Sequence, residues 1–220
     1  MPNLGDEFPD FAAETTNGPI KFHEWLGGKW AILFSHPADY TPVCTTELGV
    51  VAKLVPEFEK RGVKVIALSC DSVEDHHGWV KDIQNYSDNS GSWPYPIISD
   101  PKRDLAVKFG MLDPAEKDAK GLPLTARVVF IIGPDRKLKL SILYPATTGR
   151  NFDEILRVVD SLKLTAEKKV ATPANWKHGE RCMVLPSVKQ EDTGKLFPKG
   201  VEVVSVPSGK QYMRFTPQPE

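Results

Sequence analysis

Short runs of branched apolar residues alternate with amphipathic stretches along most of the chain, and that alternation leaves few folds open. Trp30–Ser35 reads as a buried strand. A helix follows from Thr41, with Pro42 in its first position and an inward stripe of Cys44, Leu48, Val51, Val55 and Phe58. Pro56 lies inside that pattern and predicts a kink or an early end. Val63–Ser69 is the next strand, after Gly62 as a helix stop. Ser72 to Asp75 has the form of a capping box and opens a helix into the 80s. Residues 86–96, polar and rich in turn formers, read as loop. Asp100 and Pro101 predict the start of a short helix that ends near Gly110. Strands at 127–133 and Leu138–Tyr144 flank a turn at Gly133-Pro134-Asp135-Arg136, and Asn151 to Glu154 caps a further helix with Phe152, Ile155, Val159 and Leu162 on one face. This order implies an α/β fold, a mixed sheet flanked by helices.

After about residue 165 the texture changes. Proline and lysine become frequent, and strand-like pieces at 201–206 and 211–215 flank a turn at Pro207 to Lys210. The reading is a first domain over residues 1–165 and a smaller C-terminal α+β domain or arm over 166–220.

Charge excludes some classes of partner. Lys and Arg total 28 against 29 Asp and Glu, a formal net charge of -1, so nothing general favours nucleic acid or an anionic membrane. Trp25, Trp30, Trp79, Trp93 and Trp176 show no regular interleaving with basic residues, which argues against a base-stacking surface. The longest apolar runs, 31–34 and 128–132, are too short for stable membrane insertion. The acidic start (Asp6, Glu7, Asp10, Glu14) does not read as a secretory signal, and three cysteines form no dense, even set. Both features point to a reducing, cytoplasmic setting.

The informative string runs from Ser35 through His36, Pro37 and Thr41 to Cys44. With Thr41 as the N-cap, Cys44 falls in the first helical turn, where backbone N–H groups lack partners and favour an anion. A thiolate is such an anion, so Cys44 reads as an activated nucleophile. Local pattern alone leaves a second reading open, a small buried hydrophobe on the inward stripe.

The same string resembles the active-site signature of the peroxiredoxin family, Pro-x-x-x-Thr-x-x-Cys, filled by Pro37, Thr41 and Cys44. The resemblance extends along the chain, through Leu124 to Phe130, Leu143 to Glu154 and Leu196 to Gly200, and is greatest to the one-cysteine branch. It implies a thioredoxin-like fold, a C-terminal domain that takes part in a homodimer, and a peroxidase that reduces hydroperoxides with an external thiol, glutathione being the expected reductant. By position, Cys44 would be the peroxidatic thiolate, Thr41 would hydrogen-bond the peroxide, and Pro37 would shield the sulfur. Arg127 would place a guanidinium beside it. Glu47 and Arg150 would support these groups. His36 either lines the pocket or is structural.

The match also has gaps. Where two-cysteine relatives carry a resolving cysteine, this chain has Thr172, and Cys182 lies further on, so its pairing with Cys44 stays open. Cys70, at the end of a strand, reads as core. Some relatives add a phospholipase activity that uses a Gly-x-Ser-x-Gly serine with His and Asp partners. Here Lys29 replaces that serine, while His23 and Asp135 remain, so serine-dependent lipase chemistry is not expected. Neither a phosphate-binding loop nor a Cys-x-x-Cys pair occurs, and neither cofactor nor metal is expected. Adjacent His76 and His77 read as solvent-facing. A redox sensor built on Cys44, and a thiol–disulfide oxidoreductase, are the competing functions; the missing Cys-x-x-Cys counts against the second.

Overall fold

The computed structural model describes residues 1–220. Two compact units divide between Phe152 and Asp153. The helix Phe152–Glu167, which the sequence reading grouped with the first domain, falls almost entirely in the second unit by this division.

The first unit is built on a seven-stranded mixed sheet. Its strands are β1 (Ala12–Thr15), β2 (Ile20–Lys21), β3 (Trp30–Ser35), β4 (Val63–Ser69), β5 (Ile97–Ser99), β8 (Arg127–Ile132) and β9 (Leu138–Tyr144), in the order β2-β1-β5-β4-β3-β8-β9. β3, β4 and β5 run parallel, and β8 returns antiparallel against β3. A separate hairpin pairs β6 (Leu112–Lys117) with β7 (Pro123–Thr125). The helices are α1 (Phe22–Leu26), α2 (Pro42–Lys60), α3 (Val73–Ser87) and α4 (Asp104–Phe109).

Because strand side chains alternate, each central strand supplies both faces of the sheet. Leu33, Ile66, Leu68, Ile98, Val128 and Phe130 share one buried cluster with Phe8, Phe22, Leu26 and Phe109. The other face carries Phe34, whose ring lies 5.9 Å from that of Tyr95, and Tyr95 Oη donates to the carbonyl of Leu48 on α2. On that side the predicted stripe of α2 is buried throughout, from Cys44 to Phe58. Gly49 lets α2 and α3 approach, since a Cβ there would lie 2.9 Å from Ser87 Cβ.

Three expectations change. α2 runs on through Pro56 to Lys60, with the proline ring on the exposed side while Val55 and Phe58 keep the buried stripe intact. α4 starts at Asp104 rather than at Pro101, because Arg103 takes a left-handed conformation and the Asp100 carboxylate caps the helix from outside, accepting from Leu105 and Ala106 N–H. His76 is wholly buried, and only His77 faces solvent. The capping box at Ser72 and Asp75 forms as read.

The second unit holds a four-stranded antiparallel sheet, β10 (Val170–Ala171), β11 (Cys182–Val184), β13 (Arg214–Thr216) and β12 (Glu202–Val203) in that order. Its core gathers Val170, Trp176, Cys182, Val184, Val188 and Phe197. Arg214 fastens it, donating to the carbonyls of Val188 and Leu185. Helices α5 (Phe152–Glu167) and α6 (Thr193–Leu196) complete an α+β unit, which differs from the expected 166–220 segment by including nearly all of α5.

Candidate active site

The register of β3 against β8 sets the geometry. Antiparallel pairing of Phe34 with Val129 brings the end of β3 beside the start of β8, where Arg127 stands. Ser35 Oγ stitches the two together, donating to Ala126 O at 2.6 Å and accepting from Val128 N. Thr125 Oγ1 holds the next carbonyl, that of His36. The chain then turns through residues 37–41, with Tyr40 in a left-handed conformation, and enters α2 with Thr41 as its N-cap. Cys44 is the third residue of that helix and has no exposed surface.

Arg127 Nη1 lies 3.3 Å from Cys44 Sγ and 2.6 Å from Glu47 Oε2. Its other nitrogens, Nε and Nη2, both donate to Ala146 O, which locks the guanidinium plane. Arg150 grips Glu47 from a second side. Its Nε and backbone N reach Oε1, its Nη2 reaches Oε2 at 2.8 Å, and its Nη1 donates to Val128 O. Burial works against a charge on Glu47, but the hydrogen bonds and charge of Arg150, with Arg127 behind them, hold its carboxyl below the usual range. Two permanent guanidinium charges therefore face one carboxylate in a buried site. Arg127, Arg150 and Glu47 together carry one uncompensated positive charge, and it faces Cys44 Sγ.

Thr41 uses its hydroxyl proton on Ala38 O at 2.8 Å, so its oxygen lone pairs stay free to accept from a substrate O–H. Thr41 O in turn takes Thr45 N and Thr45 Oγ1, and Trp79 Nε1 donates to Thr45 Oγ1. Pro37 is buried beside this turn. Of the residues singled out in the sequence, Cys44, Arg127, Glu47 and Arg150 meet in one hydrogen-bonded cluster. His36 is buried too, but its Nε2 is directed to Asp39 Oδ1 at 2.8 Å.

Asp39, His76, Asp71 and Trp79 were not read as site residues, although they brace the loop. Asp39 accepts from His36 and from His76 Nδ1 at 2.6 Å, and its backbone N donates to Asp71 Oδ2. Burial opposes ionisation of Asp39, yet the hydrogen bonds from His36 and His76 prevail and bring it down to about 2. Asp71 moves the other way, raised by burial and by the charge of Asp39. The signal for His76 lay in its spacing, since Trp79, Val80 and Ile83 share its helical stripe.

The remaining cysteines sit apart from this chemistry. Cys70 follows β4 and packs against the main core, where burial pushes its thiol up to about 12. Burial also raises Cys182, inside the C-terminal core. No disulfide is formed. Lys29 is exposed, His23 Nε2 bonds the carbonyl of Phe8, and Asp135 pairs with Lys139.

A mixed α/β sheet that delivers a buried cysteine to a helix N-terminus under an arginine defines a thiol-chemistry class. The chain belongs to the AhpC/TSA family, whose model matches residues 4–141, and the C-terminal domain of 1-Cys peroxiredoxin matches residues 161–200. Among curated relatives it is 67% identical to Peroxiredoxin-6 of Bos taurus and 66% to that of Homo sapiens, each over 98% of this chain and 97% of the relative. Among solved structures, a cysteine-to-serine mutant of the peroxiredoxin 6 of Arenicola marina superposes with a TM-score of 0.97 at 63% identity, covering 99% of both chains. The yeast mitochondrial 1-Cys peroxiredoxin, solved for its thiol resolving mechanism via glutathione/thioredoxin systems, gives 0.86 at 39% identity over 99% of this chain and all of that one. The chain is thus a thiol-dependent peroxidase of the one-cysteine, peroxiredoxin-6 type, with a thioredoxin-like fold.

Proposed function

We propose that Cys44 carries the peroxidase reaction as its nucleophile. The thiolate attacks one oxygen of the hydroperoxide, the O–O bond breaks, and the departing alkoxide or hydroxide takes a proton to leave as alcohol or water. Cys44 becomes a sulfenic acid. An external thiol condenses with it, releasing water and forming a mixed disulfide, and a second thiol restores the thiolate while the reductant leaves as its own disulfide. Arg127 stabilises the thiolate and the charge developing on the leaving oxygen, while Thr41 orients the peroxide. Pro37 keeps water from the sulfur, and Glu47 and Arg150 hold Arg127 in place. The observation that carries this reading is the single uncompensated guanidinium charge facing Cys44 Sγ. Stopped-flow reduction of hydrogen peroxide by the thiol-reduced protein tests it: Cys44→Ser loses the fast reaction, and a variant that keeps it sinks the assignment.

Hydrogen peroxide and organic or lipid hydroperoxides are the substrate class, and glutathione is the proposed reductant, by analogy with the yeast relative. A homodimer in the cytoplasm is the proposed working form. Support for the dimer comes from β9, an edge strand with Leu143 largely exposed, which offers unpaired backbone groups to a second copy. Nucleic acid is not a proposed partner, and no helix is long and apolar enough to cross a membrane. Serine-dependent lipase action forms no part of the proposal, because Lys29 supplies no hydroxyl; fatty acid release from phospholipid that survives Cys44→Ser would overturn that exclusion.

A further inference from the structure

We propose that His76 is a positioning residue for the peroxidase site: a buried imidazolium that, through Asp39, holds His36 in its Nε2–H form with Nδ1 unprotonated. The inference rests on the reading of Cys44 as the reacting group, but its proton assignments do not.

Both ring nitrogens of His76 face acceptors. Nδ1 lies 2.6 Å from Asp39 Oδ2, and Nε2 lies 3.2 Å from the carbonyl of Ile98 on β5. A carbonyl only accepts, and so does an ionised carboxylate, so each nitrogen must bring a proton. A neutral ring would set a lone pair against an oxygen in a site with no solvent access. His76 is therefore a cation, and Asp39 is its counter-charge.

The other oxygen of Asp39 takes His36 Nε2 at 2.8 Å. That leaves His36 Nδ1 buried with no partner. A proton there would create an unpaired N–H and a second cation on one carboxylate, whereas a bare lone pair costs less. The titratable groups facing the pair are His36 and Asp39 from the loop after β3 and Asp71 from the loop after β4. Asp71 Oδ2 already accepts from Asp39 N and Ser69 Oγ. β5 contributes only its backbone carbonyl. Around Asp39 the charges close with Asp39 negative, His76 positive and His36 neutral, while burial and the charge of Asp39 push Asp71 toward its neutral form.

The mechanical consequence follows from sequence spacing. His76 and Trp79 stand one turn apart on α3, and both are fully buried. His76 grips the loop at Asp39, between Pro37 and Thr41, and Trp79 grips Thr45, which in turn holds Thr41 O. One helix face thus fixes the peptide on both sides of Thr41.

The test is 15N-resolved NMR of the histidine rings in the full chain at neutral pH, combined with the rate of Cys44 oxidation. The expected spectrum shows His76 protonated at both nitrogens and His36 at Nε2 alone. In His76→Asn the amide still donates to Asp39 but brings no charge, so the proton moves to His36 and both its nitrogens carry hydrogen. The peroxide rate then falls by roughly 10- to 100-fold, the scale of a misplaced reacting geometry. His76→Leu, with no donor, falls further, and Asn recovers part of the loss. A singly protonated His76, or a doubly protonated His36, in the unmutated protein overturns the proposal without need of any variant. An unchanged peroxide rate in a folded His76→Asn overturns the positioning role. Loss of the fast reaction in Cys44→Ser with a contrary histidine spectrum would separate failure here from failure of the Cys44 assignment.

Discussion

Arg127 Nη1 stands 3.3 Å from Cys44 Sγ, across 83 positions of sequence, and the same nitrogen lies 2.6 Å from Glu47 Oε2. One N–H-bearing nitrogen thus faces a carboxylate and a sulfur at once. The guanidinium cannot swing toward either, because Nε and Nη2 are both committed to Ala146 O. A fixed cation stands beside the buried sulfur before substrate arrives, so no reorganisation is needed as charge develops in the reaction.

Arg127→Lys keeps the charge and loses the fork. A single ammonium cannot serve Ala146 O, Glu47 and Cys44 together. The second-order rate with hydrogen peroxide is expected to drop by about 10²- to 10³-fold, the usual cost of removing one aimed donor. Stopped-flow oxidation of Cys44 measures it, and a drop of less than threefold, about 0.65 kcal/mol, would show that charge alone suffices.

Glu47→Gln tests the balance of the cluster. The substitution leaves two buried guanidiniums without their shared carboxylate, and removing one partner of a buried pair costs about 3–5 kcal/mol. Urea unfolding at neutral pH should show a loss of that order. The side chain of Glu47 is 3% exposed, so solvent offers little relief. An unchanged midpoint would mean that the pairs are screened by water.

Asp39 makes stability depend on acid. Its carboxyl lies near 2 in the fold against an ordinary value near 3.8. The folded value is depressed, so its contribution is fully present above about pH 4 and disappears as pH falls toward 2. The size is on the order of 2 kcal/mol. The gap in unfolding free energy between the unmutated protein and Asp39→Asn should therefore be wide at pH 5 and close toward pH 2. A gap that stays constant over that range would contradict the hydrogen bonding of an ionised Asp39 to His36 and His76.

How much of this was legible in the sequence varies with the kind of signal. β4 and β9 and the capping box at Ser72 were readable, since apolar runs and cap chemistry are local. β1, β2, β5 and the β6–β7 hairpin were not read, because strands of two to four residues, and a six-residue strand broken by a register shift, exist only through the partners that complete them. Cys44 was legible from Pro37, Thr41 and the helix start. Arg127 entered through family resemblance, since nothing local to a strand's first residue reveals that it faces a sulfur. His76 was misread from its adjacency to His77, although the spacing to Trp79 and Ile83 placed it inward.

The other two thiols should be dispensable. Burial pushes Cys70 up to about 12 and raises Cys182, so neither is a ready thiolate near neutral pH. Cys70→Ala and Cys182→Ala should each keep peroxidase turnover with glutathione within about twofold, less than half a kcal/mol. Loss of turnover in Cys182→Ala, with the peroxide step intact, would make Cys182 a resolving cysteine.

The most direct test of the central claim is peptide-mapped mass spectrometry of the reduced protein after one equivalent of hydrogen peroxide, with a sulfenic-acid trap present. The account predicts rapid labelling confined to Cys44. Labelling of Cys70 or Cys182 while Cys44 stays untouched would contradict it.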